Sequence, residues 1–215
     1  MLNICSKNES GFWMNNKFRI TVFPVLALLL LLLIMIQNWQ LLTNNKNSVV
    51  YTYLHSFASG EIGSGYGSAT DDDIPFYKLE PGDILLGGWP NCAYGKYSHA
   101  GLYLGEGQVL EAYVDYGVCI QPLGHYEDYT ELCFLRANVS DEIKIKVIAA
   151  ARSFVGETFY PVAFKQNDRY YNCSNIIWKA YKEQGINLDV NNDIWIAPES
   201  FRDSPYVNII FEKGM

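Results

Sequence analysis

Residues 170–181 read Tyr170-Tyr171-Asn172-Cys173-Ser174-Asn175-Ile176-Ile177-Trp178-Lys179-Ala180-Tyr181. They put a cysteine in the first turn of a predicted helix that runs from about 174 to 184 and is closed by Gly185. Unpaired N–H groups and the positive helix end favour a thiolate there, the reactive form of cysteine. A thiolate nucleophile needs a base, and the chain holds three histidines. One of them, His99, sits in Tyr97-Ser98-His99-Ala100-Gly101-Leu102-Tyr103-Leu104-Gly105, a strand pattern. Cys173 and His99 are therefore a candidate cysteine-hydrolase pair with the histidine earlier in the chain.

Outward from this pair, short apolar runs bounded by glycine and proline fill residues 81–137. Residues 83–86, 99–104, 109–114, 118–123 and 132–135 are the predicted strands. Gly105-Glu106-Gly107 is a tight turn joining the second and third as a hairpin. The period then changes. Ser140-Asp141-Glu142 is an N-cap with an acidic first turn, and Ile143, Val147, Ile148, Ala151, Phe154 and Val155 recur at helical spacing up to Gly156. A strand-rich block followed by helices predicts an α+β fold with an antiparallel sheet.

The hairpin decides whether a third group joins the pair. A three-residue turn centred on Glu106 sets Gly101 opposite Glu111, which makes His99 and Glu111 diagonal neighbours on one face. A two-residue turn puts them on opposite faces. In the first register Glu111 orients the imidazole and stabilises its charged form. Each residue also has a plainer reading. Cysteine is commonly a small core residue, a strand histidine a satisfied structural group, and Glu111 a solvated charge. Their coincidence favours the catalytic reading.

Other candidates are weaker. Cys92 precedes His99 by seven residues, but Ala93-Tyr94-Gly95-Lys96 offers no helix to activate it, so it reads as a loop cysteine or disulfide partner. His125 falls in a predicted loop at the border of the cleft and reads as an exposed histidine without a specific role. Sixteen tyrosines are present, several near the proposed site, which suits a sugar- or peptide-binding groove as well as ordinary packing. The segment 60–67 (GEIGSGYG) lacks the lysine and helix of a phosphate loop and reads as a flexible loop. No Cys/His spacing of a zinc site occurs, so no metal or cofactor is expected.

The N-terminus is a separate unit. Residues 20–36 (ITVFPVLALLLLLLIMI) carry no charge, and Trp39, Leu41 and Leu42 follow. This predicts a transmembrane signal-anchor over 20–42. Lys7, Lys17 and Arg19 precede it and place segment 1–19 in the cytoplasm. A cleaved signal peptide starting at Met14 is the competing reading, although no small-x-small cleavage site follows the apolar run. Either way, residues beyond about 43 are expected outside the cytoplasm. Residues 43–70 read as linker and loop, and 71–215 as the catalytic domain. Beyond the anchor, 13 basic and 22 acidic residues give a net charge of −9, which argues against nucleic acid. An oxidising exterior allows a disulfide among Cys92, Cys119 and Cys133 while leaving Cys173 free.

SHAGLYLG, VLEAY and YYNCSNIIWKAY, in this order, resemble the permuted papain-like amidases of the YiiX/YaeF type, relatives of the NlpC-type cell-wall peptidases. The likeness covers about residues 79–206 and includes Leu79-Glu80-Pro81-Gly82-Asp83-Ile84-Leu85-Leu86, similar to the family's opening strand. The histidine precedes the cysteine, which is the permuted order. The resemblance implies a permuted papain-like core, its antiparallel sheet packed against a cysteine-bearing helix. It implies nucleophile, base and orienter at Cys173, His99 and Glu111, and Tyr160 as an oxyanion or substrate contact. Two departures stand out. Asn175 replaces an acidic residue two positions after the cysteine, and Pro161 replaces the usual acidic neighbour of Tyr160. The implied activity is hydrolysis of amide bonds in cell-wall peptide or another N-acyl amide. The alternatives are a lipid acyltransferase or thioesterase of the lecithin:retinol acyltransferase-like type, and an inactive binding module of the same fold. An apolar, lipid-sized groove at Cys173 would favour the former over a peptidase, whose cleft would be open and polar.

Overall fold

The computed structural model describes residues 10–39, 49–67, 73–189 and 193–214. The chain divides into two compact units, Met1–Asn45 and Lys46–Met215. The first contains one described helix, α1 (Ser10–Gln37), with Pro24 inside it. Its stretch Ile20–Gln37 has a mean hydropathy of 2.7 and none of it is buried. At ~1.5 Å per residue it is about 27 Å long, near the thickness of a bilayer's hydrocarbon core. By length and composition it can cross a membrane, as can a signal sequence. Cys5, Lys7 and the expected spacer 43–48 lie outside the described residues.

The second unit is built on a six-stranded antiparallel sheet in the order β4-β3-β2-β1-β5-β8. The strands are β1 (Ile84–Gly88), β2 (His99–Gly105), β3 (Gln108–Tyr113), β4 (Gly117–Pro122), β5 (Glu131–Ala137) and β8 (Val207–Lys213). A two-residue parallel ladder joins β6 (Thr158–Phe159) to β7 (Tyr170–Tyr171). Both faces of the sheet are covered, which is why β1 is buried at all five positions and reads as a continuous apolar run rather than an alternating one. On one face Leu86, Leu102 and Leu110 pack with Val147 of α3 (Asp141–Ser153) and with Ile176, Ile177 and Tyr181 of α4 (Cys173–Glu183). On the other, Leu85, Val109, Leu132 and Phe134 pack with Tyr126 and Tyr129.

Both long helices of this unit start on side-chain caps. Ser140 accepts from the Ile143 N–H, and Asn172 accepts from the Asn175 N–H at 2.7 Å. Gly185 (φ 81°) follows α4, as its position after the helix requires. The stretch expected as linker and loop contains a further helix, α2 (Val49–Ala58). Its apolar residues 49, 50, 53, 54 and 57 have helical spacing, but the valines and threonine that mix with them lower helix propensity and hide the pattern. Cys92, Cys119, Cys133 and Cys173 are all free, so the disulfide that an oxidising exterior would allow is not formed. Cys133 lies in mid-strand at the sheet's core, and burial raises its thiol pKa to about 12.

Candidate active site

The β2–β3 hairpin sets the site's geometry. Its turn has two residues, Glu106 and Gly107, both with positive φ (54° and 71°) and closed by the pair Gly105↔Gln108. Such a turn alone would split His99 and Glu111 between faces. A bulge between Tyr103 and Gly105 slips the register by one, giving Tyr103↔Val109 and Leu102↔Leu110. Continued one step, that register sets Gly101 opposite Glu111. A Cβ on Gly101 would lie 2.5 Å from the Tyr126 hydroxyl and 3.2 Å from Glu111 Cγ, so the glycine leaves room for the carboxylate and its donor.

Glu111 is fully buried. Its Oε1 accepts from His99 Nε2 at 2.8 Å and from the Tyr126 hydroxyl at 2.9 Å. His125 Nε2 lies 3.2 Å and the Tyr113 hydroxyl 3.3 Å from the same oxygen. Oε2 has no hydrogen-bond partner among the described residues. Burial pushes this carboxyl's pKa up, but the hydrogen bonds from His125 and His99 outweigh it and hold the pKa at about 2.

His99 opens β2, and its ring stacks on Tyr113 with centroids 4.7 Å apart and planes at 26°. The Cys173 thiol, at the first residue of α4, lines the same cavity as this imidazole and couples to it electrostatically, while its Sγ lies 3.9 Å from the Ser174 hydroxyl. Burial disfavours both charged forms. The mutual attraction, with Glu111 behind it, overrides burial, raising the His99 pKa to about 10 and lowering that of Cys173. The arrangement stabilises a thiolate–imidazolium pair.

Tyr160 is not brought to this centre. It is 53 % exposed and packs on Tyr170 at 5.9 Å, while its neighbours Phe159 and Pro161 line the cavity. Asn175 is buried, and its Nδ2 donates to the Phe164 carbonyl at 3.2 Å, tying the loop before β7 to α4. A carboxylate could not donate there. Cys92 lines a separate cavity of about 790 Å³, and burial raises its thiol pKa, leaving it a poor nucleophile.

A cavity of about 560 Å³ opens at Cys173, His99 and Tyr113. Val49, Val50, Tyr53 and Leu54 of α2 form one part of its wall, with Phe159, Val162 and Trp195 elsewhere in the lining. It is predominantly apolar.

His125, Tyr126 and α2 are the parts that sequence reasoning missed. His125 follows β4, whose pairing Gln108↔Pro122 returns the chain beside the start of β3; a 3-10 turn over Leu123–Asp128 then folds the ring toward Glu111. The signal in hand was the scarcity of histidine.

A family model described as permuted papain-like amidase enzyme, YaeF/YiiX, C92 family, matches residues 78–195. Among solved structures the chain is similar to the crystal structure of metalloprotein yiiX from Escherichia coli O157:H7. The identity is 18% and the TM-score 0.52, over 63% of this chain and 98% of that one, a likeness of fold. No curated protein matches the chain. That relative is described as a metalloprotein; among the described residues here, no group of three or more His, Cys, Asp or Glu side chains is placed to hold a metal ion. The antiparallel sheet, the histidine strand ahead of the cysteine helix and the match over more than half its length agree: this chain belongs to the permuted papain-like amidases of the YaeF/YiiX type.

Proposed function

We propose that the chain is a membrane-tethered cysteine hydrolase that cleaves N-acyl amides outside the cytoplasm. The observation that carries the chemistry is the imidazole of His99, which lines the cavity together with the Cys173 thiol and lies 2.8 Å from the Glu111 carboxylate. The Cys173 thiolate attacks the amide carbonyl carbon, and the Cys173 backbone N–H stabilises the resulting oxyanion. His99 gives its proton to the nitrogen, the C–N bond breaks, and the amine leaves a thioester on the sulfur. Water then loses a proton to His99 and attacks the thioester, releasing the carboxylic acid and restoring the pair. Glu111 fixes the ring and stabilises its charge throughout.

Within the expected substrate range, the apolar lining at Cys173 supports an amide whose acyl part is apolar over a polar wall peptide. The same lining favours a second reading, in which an acyl group passes from the thioester to an alcohol or amine instead of water. Tethering rests on the apolar Ile20–Gln37 helix. The test is turnover of long-chain N-acyl amides and of wall peptides by the full chain and Cys173→Ala in detergent, with products read by mass. Acid release by the wild type alone supports the hydrolase, and acyl transfer to an added acceptor supports the second reading. Equal binding without turnover by both proteins would leave a binding module.

A further inference from the structure

Two histidines converge on one oxygen of Glu111, and only one of them lines the cavity with the nucleophile. His125 Nδ1 lies 2.6 Å from the Pro122 carbonyl oxygen. A carbonyl only accepts, so Nδ1 carries a hydrogen whether the ring is charged or neutral. The state of Nε2 therefore decides what His125 does. Charged, Nε2–H donates toward Glu111 Oε1 at 3.2 Å, the oxygen that also accepts from His99. Neutral, Nε2 presents a lone pair and can accept only from the Tyr113 hydroxyl at 3.1 Å. Tyr113 then turns its proton from Glu111 to His125.

We propose that His125 is a positioning residue that competes with His99 for Glu111, so that its proton sets how far the Cys173–His99 pair is ionised. This rests on the Cys173–His99–Glu111 reading above. The groups facing His125 are Glu111 and Tyr113 from β3, His99 from β2, and Tyr126 from its own turn, with ring centroids 4.7 Å apart. Tyr113 and Tyr126 stay neutral, because burial foremost, with the nearby carboxylate, raises their pKa values. The only other positive charge in this group is thus the His99 imidazolium, which His125 opposes. The His125 side chain is 29 % exposed against 10 % for His99 and 0 % for Glu111, so solvent protons reach the cluster most readily there. When His125 loses its Nε2 proton to water, Glu111 Oε1 keeps His99 and the neutral Tyr126 hydroxyl as its donors, the imidazolium is favoured, and more Cys173 is thiolate. When it is protonated, the shared carboxylate and the like charge hold that population down.

The experiment follows iodoacetamide alkylation of Cys173 by peptide-resolved mass spectrometry across pH, on the full chain in detergent, for wild type and His125→Gln. At about pH 6, where an ordinary histidine begins to charge, the variant is expected to react several-fold faster than wild type. The two rates should converge at alkaline pH. A gain of reactivity is something a merely structural role would not produce. Parallel profiles overturn the proposal. A wild-type Cys173 no more reactive than a free thiol instead sinks the underlying triad and leaves the hydrogen bonds of His125 untouched. Should the variant fail to fold, imidazole NMR of the wild type decides, since the chain has only three histidines. His99 resonances are expected to inflect at the His125 midpoint, and independent titrations refute the coupling.

Discussion

At Cys173 the decisive balance is between burial, which opposes a thiolate, and the attraction of His99, which favours one more strongly. Alkylation of Cys173 should therefore be fast well below the ordinary thiol pKa of about 8.5. Amide turnover should fade as pH rises through about 10, where His99 loses the proton the leaving amine needs. The signs for stability follow the same shifts. Glu111 is held at about 2 against an ordinary 4.5, so its contribution is present above 4.5 and is lost as pH falls toward 2. His99 is raised from 6.5 to about 10, so its contribution is complete below 6.5 and is lost as pH rises through 10. Glu111→Gln should accordingly show a flatter melting temperature between about pH 5 and pH 2 than wild type, together with a lower kcat. His99→Asn should cost about 10²–10⁴ in turnover, the usual share of a general acid–base. An unchanged kcat in His99→Asn would remove His99 from the reaction.

At the scale of elements, the β2–β3 hairpin and the start of α4 hold the three side chains together. Gly101→Ala tests the hairpin, since its Cβ would come within 2.5 Å of both the Tyr126 hydroxyl and Val109 Cγ1. Overpacking of this kind costs about 1–3 kcal/mol, and it should lower turnover by moving the donors of Glu111; thermal melts and kinetics on one preparation check both effects. Asn175→Asp removes the donor to the Phe164 carbonyl and puts a carboxylate where Asn175 Oδ1 already lacks a partner among the described residues, and it should cost at least about 1–3 kcal/mol by burying that charge unpaired. The sequence made much of this legible. The five expected strands match β1–β5 with ends shifted by a residue or two, and the Ser140 cap and the cysteine-bearing first turn announced α3 and α4. What it hid was non-local. The face shared by His99 and Glu111 depended on a bulge that no residue in 99–111 advertises, because Gly105 would suit either turn. His125 reaches Glu111 only through the pairing of β3 with β4. The last strand, β8, with five of seven residues partly buried and two exposed at a sheet edge, lacks the strong apolar run of the central strands.

For the molecule as a whole, the question is what enters the cavity at Cys173. The unit that holds it belongs to a chain segment with net charge −9, yet the cavity wall itself is mostly apolar. Neutral acyl chains suit such a wall, whereas a charged peptide would have to give up hydration there without partners. Burial contributes about 0.8 kcal/mol per methylene, so kcat/KM should climb with acyl length until the cavity of about 560 Å³ is filled. Val50 and Leu54 of α2 offer a direct probe, because they line the cavity without being part of the Cys173–His99–Glu111 set. Leu54→Asp sets a charge in that wall and should raise KM for long-chain substrates while leaving kcat and short-chain hydrolysis near wild type, the pattern of lost uniform binding. The measurement is kcat and KM for a homologous series of N-acyl amides with the full chain and with Leu54→Asp. A wild-type series that is flat with chain length, with wall peptides turned over faster than any acyl amide, would reject the acyl reading and return the cavity to a peptide.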